Sequence, residues 1–252
     1  MWDWFVNFLA NVLSALEQFS GDWGLAIIIL TFIIRLLVMP LMTKSTASSA
    51  RMQALQPKMK EIQDRYANDP ERQAEEMRKF YAENKFNPMG GCLPVIIQMP
   101  VFFALFTVAK QVPADAHFLG VLPSLSVSAS EMFASSGLAG AWVYIVFDVA
   151  FGVLTLIPMI MNLSNTPEEQ RQTSLIMGVV MAGMMLWFGW TVPAAVLLYY
   201  DTSALWQVVQ QKIVTQRVMD KVKRETEEQM KNQPVQVDVV RKEKKPRPHK
   251  KG

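Results

Sequence analysis

Cysteine and histidine are scarce in this chain. Of its 252 residues only Cys92 is a cysteine, so no disulfide can form within the chain. The two histidines, His117 and His249, lie far apart in the sequence and suggest no metal site. The chain also lacks a Gly-rich phosphate-binding loop, a G-x-S-x-G motif and a credible nucleophile–base pair. We therefore expect no metal, no cofactor and no enzymatic activity.

Basic residues are absent from the start of the chain, where Arg35 is the first Lys or Arg. The N-terminus therefore lacks the positive charge of a cleavable signal peptide. Apolar residues instead recur there at helical spacing: Trp2, Phe5, Leu9, Val12, Leu16 and Phe19. This pattern predicts an amphipathic helix over 1–20. The helix either lies in the membrane interface on the extracytosolic side or packs on the rest of the protein.

Long apolar runs lie outside two charged blocks, 44–85 and 212–251. A bilayer core of about 30 Å needs about 20 residues of helix. The runs predict five transmembrane helices, at 22–42, 93–110, 141–161, 173–190 and 192–211. We therefore predict an all-α, polytopic membrane protein. Its parts are a first span over 21–43, a cytosolic insert over 44–92, a membrane core over 93–211 and a tail over 212–252.

The distribution of basic residues predicts the orientation of the spans. Placing 43–92, 162–172 and 212–252 on one side of the membrane puts 23 of the 25 Lys and Arg residues there. The positive-inside rule assigns that side to the cytosol. We expect a multi-pass protein of the bacterial cell membrane, with its N-terminus outside and its C-terminus in the cytosol.

The insert 44–92 has the pattern of a two-helix hairpin. Apolar residues repeat at spacings of three and four: Met52, Leu55, Met59, Ile62 and Tyr66, then Ala74, Met77 and Tyr81. "ANDP" at 67–70 predicts the turn, with Asp69 capping the second helix and Pro70 in its first position. The hairpin is either a mobile arm that contacts a partner or a solvated linker, and we favour the arm.

Several polar residues interrupt the predicted spans. Arg35 lies inside the first span, where a charge near the bilayer centre costs about 3 kcal/mol or more. Thr31 shares its helical face, Gln98 lies in the second span, and the fifth span carries a polar stripe. That stripe consists of Tyr200, Ser203, Gln207 and Gln210. These groups predict a shared, hydrated, cationic cavity; the alternative is hydrogen bonding between helices.

Long stretches of the chain resemble the YidC family of membrane protein insertases. They are "WGLAIIILTFIIRLLVMPLMTK", "MQALQPKMKEIQDRYANDPERQAEEMRKFY", "NPMGGCLPVIIQMPVFFALF" and "VPAAVLLYYDTSALWQVVQQ". The resemblance covers about 20–215. The large extracytosolic domain of Gram-negative members is missing, so the chain looks like the minimal five-span bacterial type.

The resemblance implies a function and a site. Members of the family insert newly made proteins into the membrane, alone or beside the Sec translocon. They use a hydrophilic groove that is open to the cytosol and the lipid. The groove residues of the family match Arg35, Thr31, Gln98 and Tyr200, and Ser203 and Gln207 extend the polar stripe. The implied partners are nascent membrane protein chains.

Two further features lead to expectations about the site. Asp201 stands where the family has an apolar or aromatic residue, and its depth in the membrane suggests that it pairs with Arg35 or weakens the electric field of that charge. Asp148, in the third span, is expected to be a structural partner within the bundle. The face formed by Met177, Met181 and Met184 is a candidate flank for the substrate helix, because Met adapts to varied shapes. Ordinary packing against the bundle or lipid is the alternative.

The tail 212–252 carries 13 basic and six acidic residues. We expect it to be largely disordered and to bind either ribosomal RNA or anionic lipid. A monomer is expected to suffice for function. The competing hypothesis from another class is a small transporter or channel, which would need a pore open on both sides. The sequence shows neither an inverted repeat nor a second intramembrane arginine.

Overall fold

The structure, a computed structural model, describes residues 1–84, 93–109, 111–163 and 168–232. Within these ranges the chain forms α-helices and no β-strand, which confirms the all-α prediction. In chain order they are α1 Trp2–Ser20, α2 Trp23–Arg65, α3 Pro70–Glu83, α4 Leu93–Ala109, α5 Ala129–Leu163, α6 Glu168–Thr191, α7 Ala194–Gln210 and α8 Gln216–Asn232. A π-helical segment, Gln211–Thr215, joins α7 to α8.

Helix α2 is 43 residues long, or about 65 Å at 1.5 Å per residue. The Asp22 carboxylate caps it as expected, accepting a hydrogen bond from the Leu25 N–H at 2.9 Å. The sequence analysis placed a boundary near residue 43, between the first span and the hairpin. The structure has no break there. Pro40 and Pro57 lie inside the helix without ending it, because the bonds of the neighbouring turns remain.

Three of the described helices are long and apolar enough to cross a membrane. These stretches are Trp23–Arg65, Ala129–Met161 and Arg171–Thr191. Helix α5 is interrupted at Gly137, whose φ of 61° suits glycine, so the regular part of this helix begins after it. Helices α4 and α7 have 17 residues each, slightly short of a full span. The number of five spans therefore stays a prediction.

Helix α7 lies at the centre of the bundle. Its first turns, from Ala194 to Ala204, are buried at nearly every position. They pack against α2, α4 and α5, and α6 packs along α5. Helix α1 buries Val6, Leu9 and Leu13 in the same core and leaves Trp4, Phe8 and Phe19 exposed. One face thus packs on the bundle while an aromatic face is exposed, and a position of this helix in the membrane interface stays a prediction.

Residues 111–128 fold back over one end of the bundle, which we call the loop end. Leu122 and Leu125 of this loop are buried. The Leu125 carbonyl accepts a hydrogen bond from Ala195 N–H at 2.9 Å, which attaches the loop to the start of α7. The Asp22 carboxylate, besides capping α2, accepts a hydrogen bond from the Leu119 N–H at 2.7 Å. The loop is therefore an ordered cover over the bundle.

The opposite end, which we call the hairpin end, carries the predicted hairpin. The distal half of α2 and helix α3 enclose an apolar cluster around Leu55 and Phe80. The Asp69 carboxylate accepts a hydrogen bond from the Arg72 N–H at 3.1 Å, and Pro70 is the first residue of α3. The predicted turn and cap are confirmed.

Helix α8 corrects the prediction that the tail 212–252 is largely disordered. The chain continues from α7 through the π-helical segment into α8 and stays helical to Asn232. Met219 and Val222 of α8 pack on Ala50 of α2. Met219 and Val222 are three residues apart and therefore lie on one side of α8. This face is buried, although the helix as a whole is highly charged. The remainder of the tail lies outside the described residues.

Candidate functional site

Arg35 lies in the apolar half of α2 and lines two neighbouring cavities. The hairpin-side cavity, about 330 Å³, lies between α2 and the run formed by α7, the π-helical segment and α8. The bundle cavity, about 370 Å³, lies among α2, α4, α5, α6 and α7. Arg35, Met42 and Gln207 line both. The guanidinium therefore stands where the two spaces meet.

The hairpin-side cavity has a polar lining. Besides Arg35, Met42 and Met219, its lining consists of neutral side chains that donate and accept hydrogen bonds: Ser45, Thr46, Ser49, Gln53, Gln207, Gln210, Gln211 and Thr215. On α2 these residues recur every three or four positions, so they share one face of the helix. A space of this size and lining suits water or the polar part of a peptide chain.

The bundle cavity is mostly apolar. Met99, Phe151, Pro158 and Met185 contribute to its walls. Polar residues of four helices line it, namely Arg35 of α2, Gln98 of α4, Thr155 of α5, and Tyr200, Ser203 and Gln207 of α7. A space with apolar walls and one cationic corner suits an apolar helix that is connected to a polar or acidic segment.

Five of the seven predicted groove residues therefore line one cavity. They are Arg35, Gln98, Tyr200, Ser203 and Gln207. Their convergence follows from the packing of α7 against both α2 and α4. Their action on a substrate stays a prediction.

Thr31 does not line either cavity. Its side chain is buried, and its hydroxyl donates a hydrogen bond to the Ile27 carbonyl at 2.6 Å, within α2 itself. Thr31 lies one turn from Arg35 toward the loop end, among Ile27, Leu30 and other core residues. In this structure it belongs to the packed layer beyond the cavities.

Asp201 does not form the expected ion pair with Arg35. Both of its carboxylate oxygens are buried and accept no hydrogen bond. Successive residues of a helix point about 100° apart, so Asp201 does not share the direction of Tyr200 and lines neither cavity. Similar depth in the membrane was therefore not enough to predict a contact. Among the described residues, no group of three or more His, Cys, Asp or Glu could hold a metal ion.

The expected methionine flank lies on the outside of the bundle. Met177, Met181 and Met184 are exposed, Met177 at 62% of its surface. Met185 is the methionine of α6 that lines the bundle cavity, together with Met99 and Met42 from other helices. The exposed positions agree with the alternative of contact with lipid, and their role toward a substrate stays a prediction.

Arg35 has no protein anion as a partner. In the ranges that the structure describes, no ion pair joins its guanidinium to a carboxylate. The phenols of Tyr199 and Tyr200 lie close enough to interact with it electrostatically. Gln98 Nε2 donates a hydrogen bond to the Tyr199 hydroxyl at 3.0 Å, which holds these two side chains beside it. Five N–H donors without a protein acceptor are available to water or to an acidic ligand.

The cavities end at an apolar layer on the side of the loop end. Ile27 and Leu30 of α2, Leu105 and Val108 of α4, and Val196 of α7 are all buried in the main core. Between them lies only a small apolar void of about 20 Å³, at the scale of one water molecule. Within the described residues, the two cavities thus lead from Arg35 toward the hairpin end and not through the bundle.

Sequence reasoning missed the polar face of distal α2 and the role of Tyr199. The signal for the first was present, because "TKSTASSARMQ" places Ser45, Ser49 and Gln53 at helical spacing. It was overlooked because the first span was expected to end near residue 43. Tyr199 adjoins Tyr200 in sequence, and only packing decides which of two adjacent phenols meets Gln98.

The chain matches the 60Kd inner membrane protein family over residues 15–222. It is 35% identical over 217 residues to the "Membrane protein insertase YidC" of Cellvibrio japonicus (strain Ueda107), covering 85% of this chain and 36% of that protein. It is 33% identical over 215 residues to the protein of the same name from Wigglesworthia glossinidia brevipalpis, covering 84% and 37%. The chain thus spans little more than a third of the length of these relatives.

A solved structure has a similar fold. It is described as "Active YidC insertase crystal structure with the first transmembrane domain resolved", and the TM-score is 0.59 at 26% sequence identity. The likeness covers 83% of this chain and 46% of that one. With the apolar helices, these relatives indicate a multi-pass protein of the bacterial inner membrane. Because the family match extends over most of its length, the chain belongs to the 60Kd inner membrane protein family.

Proposed function

We propose that this protein inserts newly made proteins into the membrane through the two cavities that meet at Arg35. The observation that carries this proposal is a cationic side chain without a protein anion, at the inner end of a polar cavity and beside an apolar one. The names of the relatives, which are insertases, agree with it.

The physical task explains why both kinds of lining are needed. A polar segment that crosses hydrocarbon loses hydrogen bonds to water, at a cost of several kcal/mol for each unsatisfied group. The hairpin-side cavity shortens the dry path by offering hydroxyl and amide partners, while Arg35 attracts acidic residues into it. The bundle cavity accommodates the apolar helix that follows. Release into the lipid is downhill for that helix and needs no nucleotide.

The apolar layer beyond Arg35 favours insertion over transport. A transporter or channel requires a path for water or ions on both sides of the membrane. In the described structure, Ile27, Leu30 and Leu105 are packed where such a path would continue. The polar segment of the substrate then lacks hydrogen-bond partners only over the last, short part of its path across the membrane.

The orientation and the partners belong to the same proposal. The hairpin end carries most of the basic residues, so the positive-inside rule places it in the cytosol and the loop end outside. The hairpin and the basic tail would contact the ribosome or anionic lipid, and the Sec translocon would be an occasional partner. One copy supplies every cavity wall, so a monomer would suffice.

The test is membrane insertion of a short single-span substrate after depletion of the native protein. Arg35→Ala is expected to reduce insertion of a substrate whose translocated segment is acidic, and to have much less effect when that segment is neutral. Arg35→Lys should retain most of the activity, because a cation remains. Arg51→Ala is the matched control, since Arg51 lies on the same helix but is exposed and outside both cavities. Equal loss for both substrates, or none for either, would contradict the proposed role of Arg35.

A further inference from the structure

Two buried carboxyl groups lie in the bundle away from the Arg35 cavities. Asp148 of α5 is 6% exposed and Asp201 of α7 is 8% exposed. Asp148 Oδ1 and both carboxylate oxygens of Asp201 are shielded from solvent and have no hydrogen-bond partner. Unpartnered carboxyl oxygens in a packed bundle are uncommon, because each loses its bonds to water without replacement.

The surrounding packing brings the two residues to one place. A side chain at Gly189 of α6 would meet both Asp148 Oδ1 and Leu197, so only glycine leaves room for the carboxyl there. Leu197 lies one turn before Asp201 on the same face of α7. The rings of Phe151 and Tyr200 also meet between α5 and α7 in a tilted arrangement, with their centroids 5.2 Å apart. Asp148 and Asp201 therefore lie near enough to interact electrostatically.

Among the residues that the structure describes, no neighbouring cation is placed to neutralise the pair. From α2 the nearest is Arg35, whose electrostatic neighbours are Tyr199 and Tyr200 and which forms no ion pair in the described ranges. The described part of α4 carries no charged residue, and the charges of α6, such as Arg171, lie in its first turn. On α5 itself, Tyr144 is bonded to the Ser124 backbone. In the covering loop, His117 lies 3.9 Å from Asp22, and Asp115 adds only negative charge.

We propose that Asp148 and Asp201 form a proton-binding site between α5 and α7, in which at least one of the two carboxyl groups remains protonated at neutral pH. Two unpaired anions near each other in a lipid-embedded bundle would repel, and each would lack solvation. One bound proton removes a charge and turns one carboxyl group into a donor. That donor satisfies an oxygen of the other residue and links α5 to α7.

The ligand of this site is a proton, and its binding affects how firmly α7 packs on α5. Helix α7 lines the bundle cavity through Tyr200, Ser203 and Gln207, and Gln207 also lines the hairpin-side cavity. Asp201 lies about 100° around the helix from Tyr200. A protonated pair therefore stabilises the packing of α7 on α5, and loss of the proton weakens that contact. This inference does not depend on the insertion of substrates and stands if the proposed function fails.

Infrared spectroscopy of the purified full chain in lipid nanodiscs tests the site directly. The wild-type protein at neutral pH is expected to show a carbonyl band of a protonated carboxyl group, which shifts on ¹³C labelling of the aspartate side chains. The band should disappear in the double variant Asp148→Asn/Asp201→Asn, since the amide keeps the shape but cannot hold this proton. Asp22→Asn is the matched control and should leave the band in place, because Asp22 is bonded to two backbone N–H groups.

The wild-type spectrum alone can overturn the inference. Absence of an aspartate-sensitive band at neutral pH would show that both carboxyl groups are ionised, and persistence of the band in the double variant would assign it elsewhere. Should the double variant fail to fold, the single variants Asp148→Asn and Asp201→Asn replace it. The band must then be lost or shifted in each, and an unchanged band in both would refute the site.

Discussion

The two ends of this helix bundle treat polar groups in opposite ways. At the loop end, Asp22 is buried, and its carboxylate accepts hydrogen bonds from the backbone of both α2 and the covering loop. At the hairpin end, Ser49 and Gln207 line an open, polar cavity, and the hairpin beyond it carries ion pairs on its surface. The same chemical groups thus act as structural bonds at one end and as a hydrophilic surface at the other.

This difference between the two ends shows which parts of the molecule are accessible to water. A hydrogen bond in a dry interior is costly to lose, because the partner left behind remains unsatisfied. A polar group beside water loses little when its partner is removed. Arg35 lies at the boundary between the two regimes, one turn from buried Thr31 on one side and next to the polar cavity on the other.

The loop end should be the more sensitive to loss of apolar contacts. Leu125 is 0% exposed, and Leu125→Ala removes a side chain from the closed core, so we expect a loss of about 2–5 kcal/mol in the free energy of unfolding. Leu119→Ala in the same loop is the control, since Leu119 is 59% exposed and its truncation should change little. Denaturant titration in mixed micelles measures both. Equal effects would mean that the loop is not a packed cover.

Substitution of Asp22 tests how much a buried hydrogen bond at the loop end contributes to the free energy of unfolding. Asp22→Ala leaves the Leu25 and Leu119 N–H groups without their acceptor, and we expect a loss of about 1–3 kcal/mol in the free energy of unfolding. Asp22→Asn keeps an oxygen for the cap and should recover part of that loss. The same denaturant titration applies. A loss in Asp22→Ala no larger than that of Leu119→Ala would show that water replaces the carboxylate, and that the loop end is wet.

Cysteine labelling compares the two ends without unfolding the protein. In a Cys92→Ser background, Ser49→Cys and Gln207→Cys should react with a membrane-impermeant maleimide at least roughly tenfold faster than Leu105→Cys, because thiol reactivity requires access to water. Arg78→Cys on exposed α3 provides the reference rate. The reagent is added to inside-out vesicles, which present the cytosolic face.

Labelling from the other face tests whether the apolar layer is closed. Added to right-side-out vesicles, the reagent should not reach Gln207→Cys, since Leu30, Leu105 and Val108 pack between that position and the loop end. Rapid labelling from both faces would indicate a continuous pore and would favour the transporter alternative. Rapid labelling only from the face opposite the basic residues would reverse the proposed orientation.

Local signals in the sequence predicted the elements well, and contacts between elements poorly. Asp22, Asp69 and Pro70 predicted helix starts because a cap depends on residues within one turn. The cavity positions Arg35, Gln98 and Tyr200 were also found, since an arginine or glutamine in an apolar run is conspicuous. The rotation of α7 about its axis was not predictable, because packing against three helices decides it. That is why Asp201 was assigned to Arg35, although it lines neither cavity and pairs with no cation in the described residues.

The extents of helices α2 and α8 were mispredicted for a related reason. The continuation of α2 through residue 43 was missed because a change from apolar to polar residues was taken as the end of a helix. A change from apolar to polar residues marks the edge of the lipid and not the end of the helix. No glycine interrupts α2 at this position. Helix α8 was missed because its composition is polar, although Met219 and Val222 pack on Ala50. One narrow apolar stripe suffices for docking, whereas average composition predicts disorder.

The smallest effect is expected from the ion pairs on α3. Lys79 Nζ lies 2.9 Å from both Glu75 Oε1 and Glu76 Oε1, and all three side chains are on the solvated surface of the hairpin. The hydrogen bond and the charge of Lys79 lower the pKa of Glu75. Because the pKa is lowered in the folded hairpin, the stabilisation is present above the pKa of unfolded glutamate, about 4.3, and is lost as the pH falls through the folded-state pKa.

A pH titration of the Glu75 side-chain carboxyl carbon by NMR, assigned with Glu75→Gln, measures this. In Lys79→Gln the pKa of Glu75 should rise toward its ordinary value, while the denaturant midpoint at neutral pH hardly changes, since exposed pairs contribute little. A large loss of stability in Lys79→Gln would mean that the hairpin surface is shielded from water in the membrane-bound protein. The contrast between a dry loop end and a wet hairpin end would then not hold for the hairpin surface, where exposure to water is greatest.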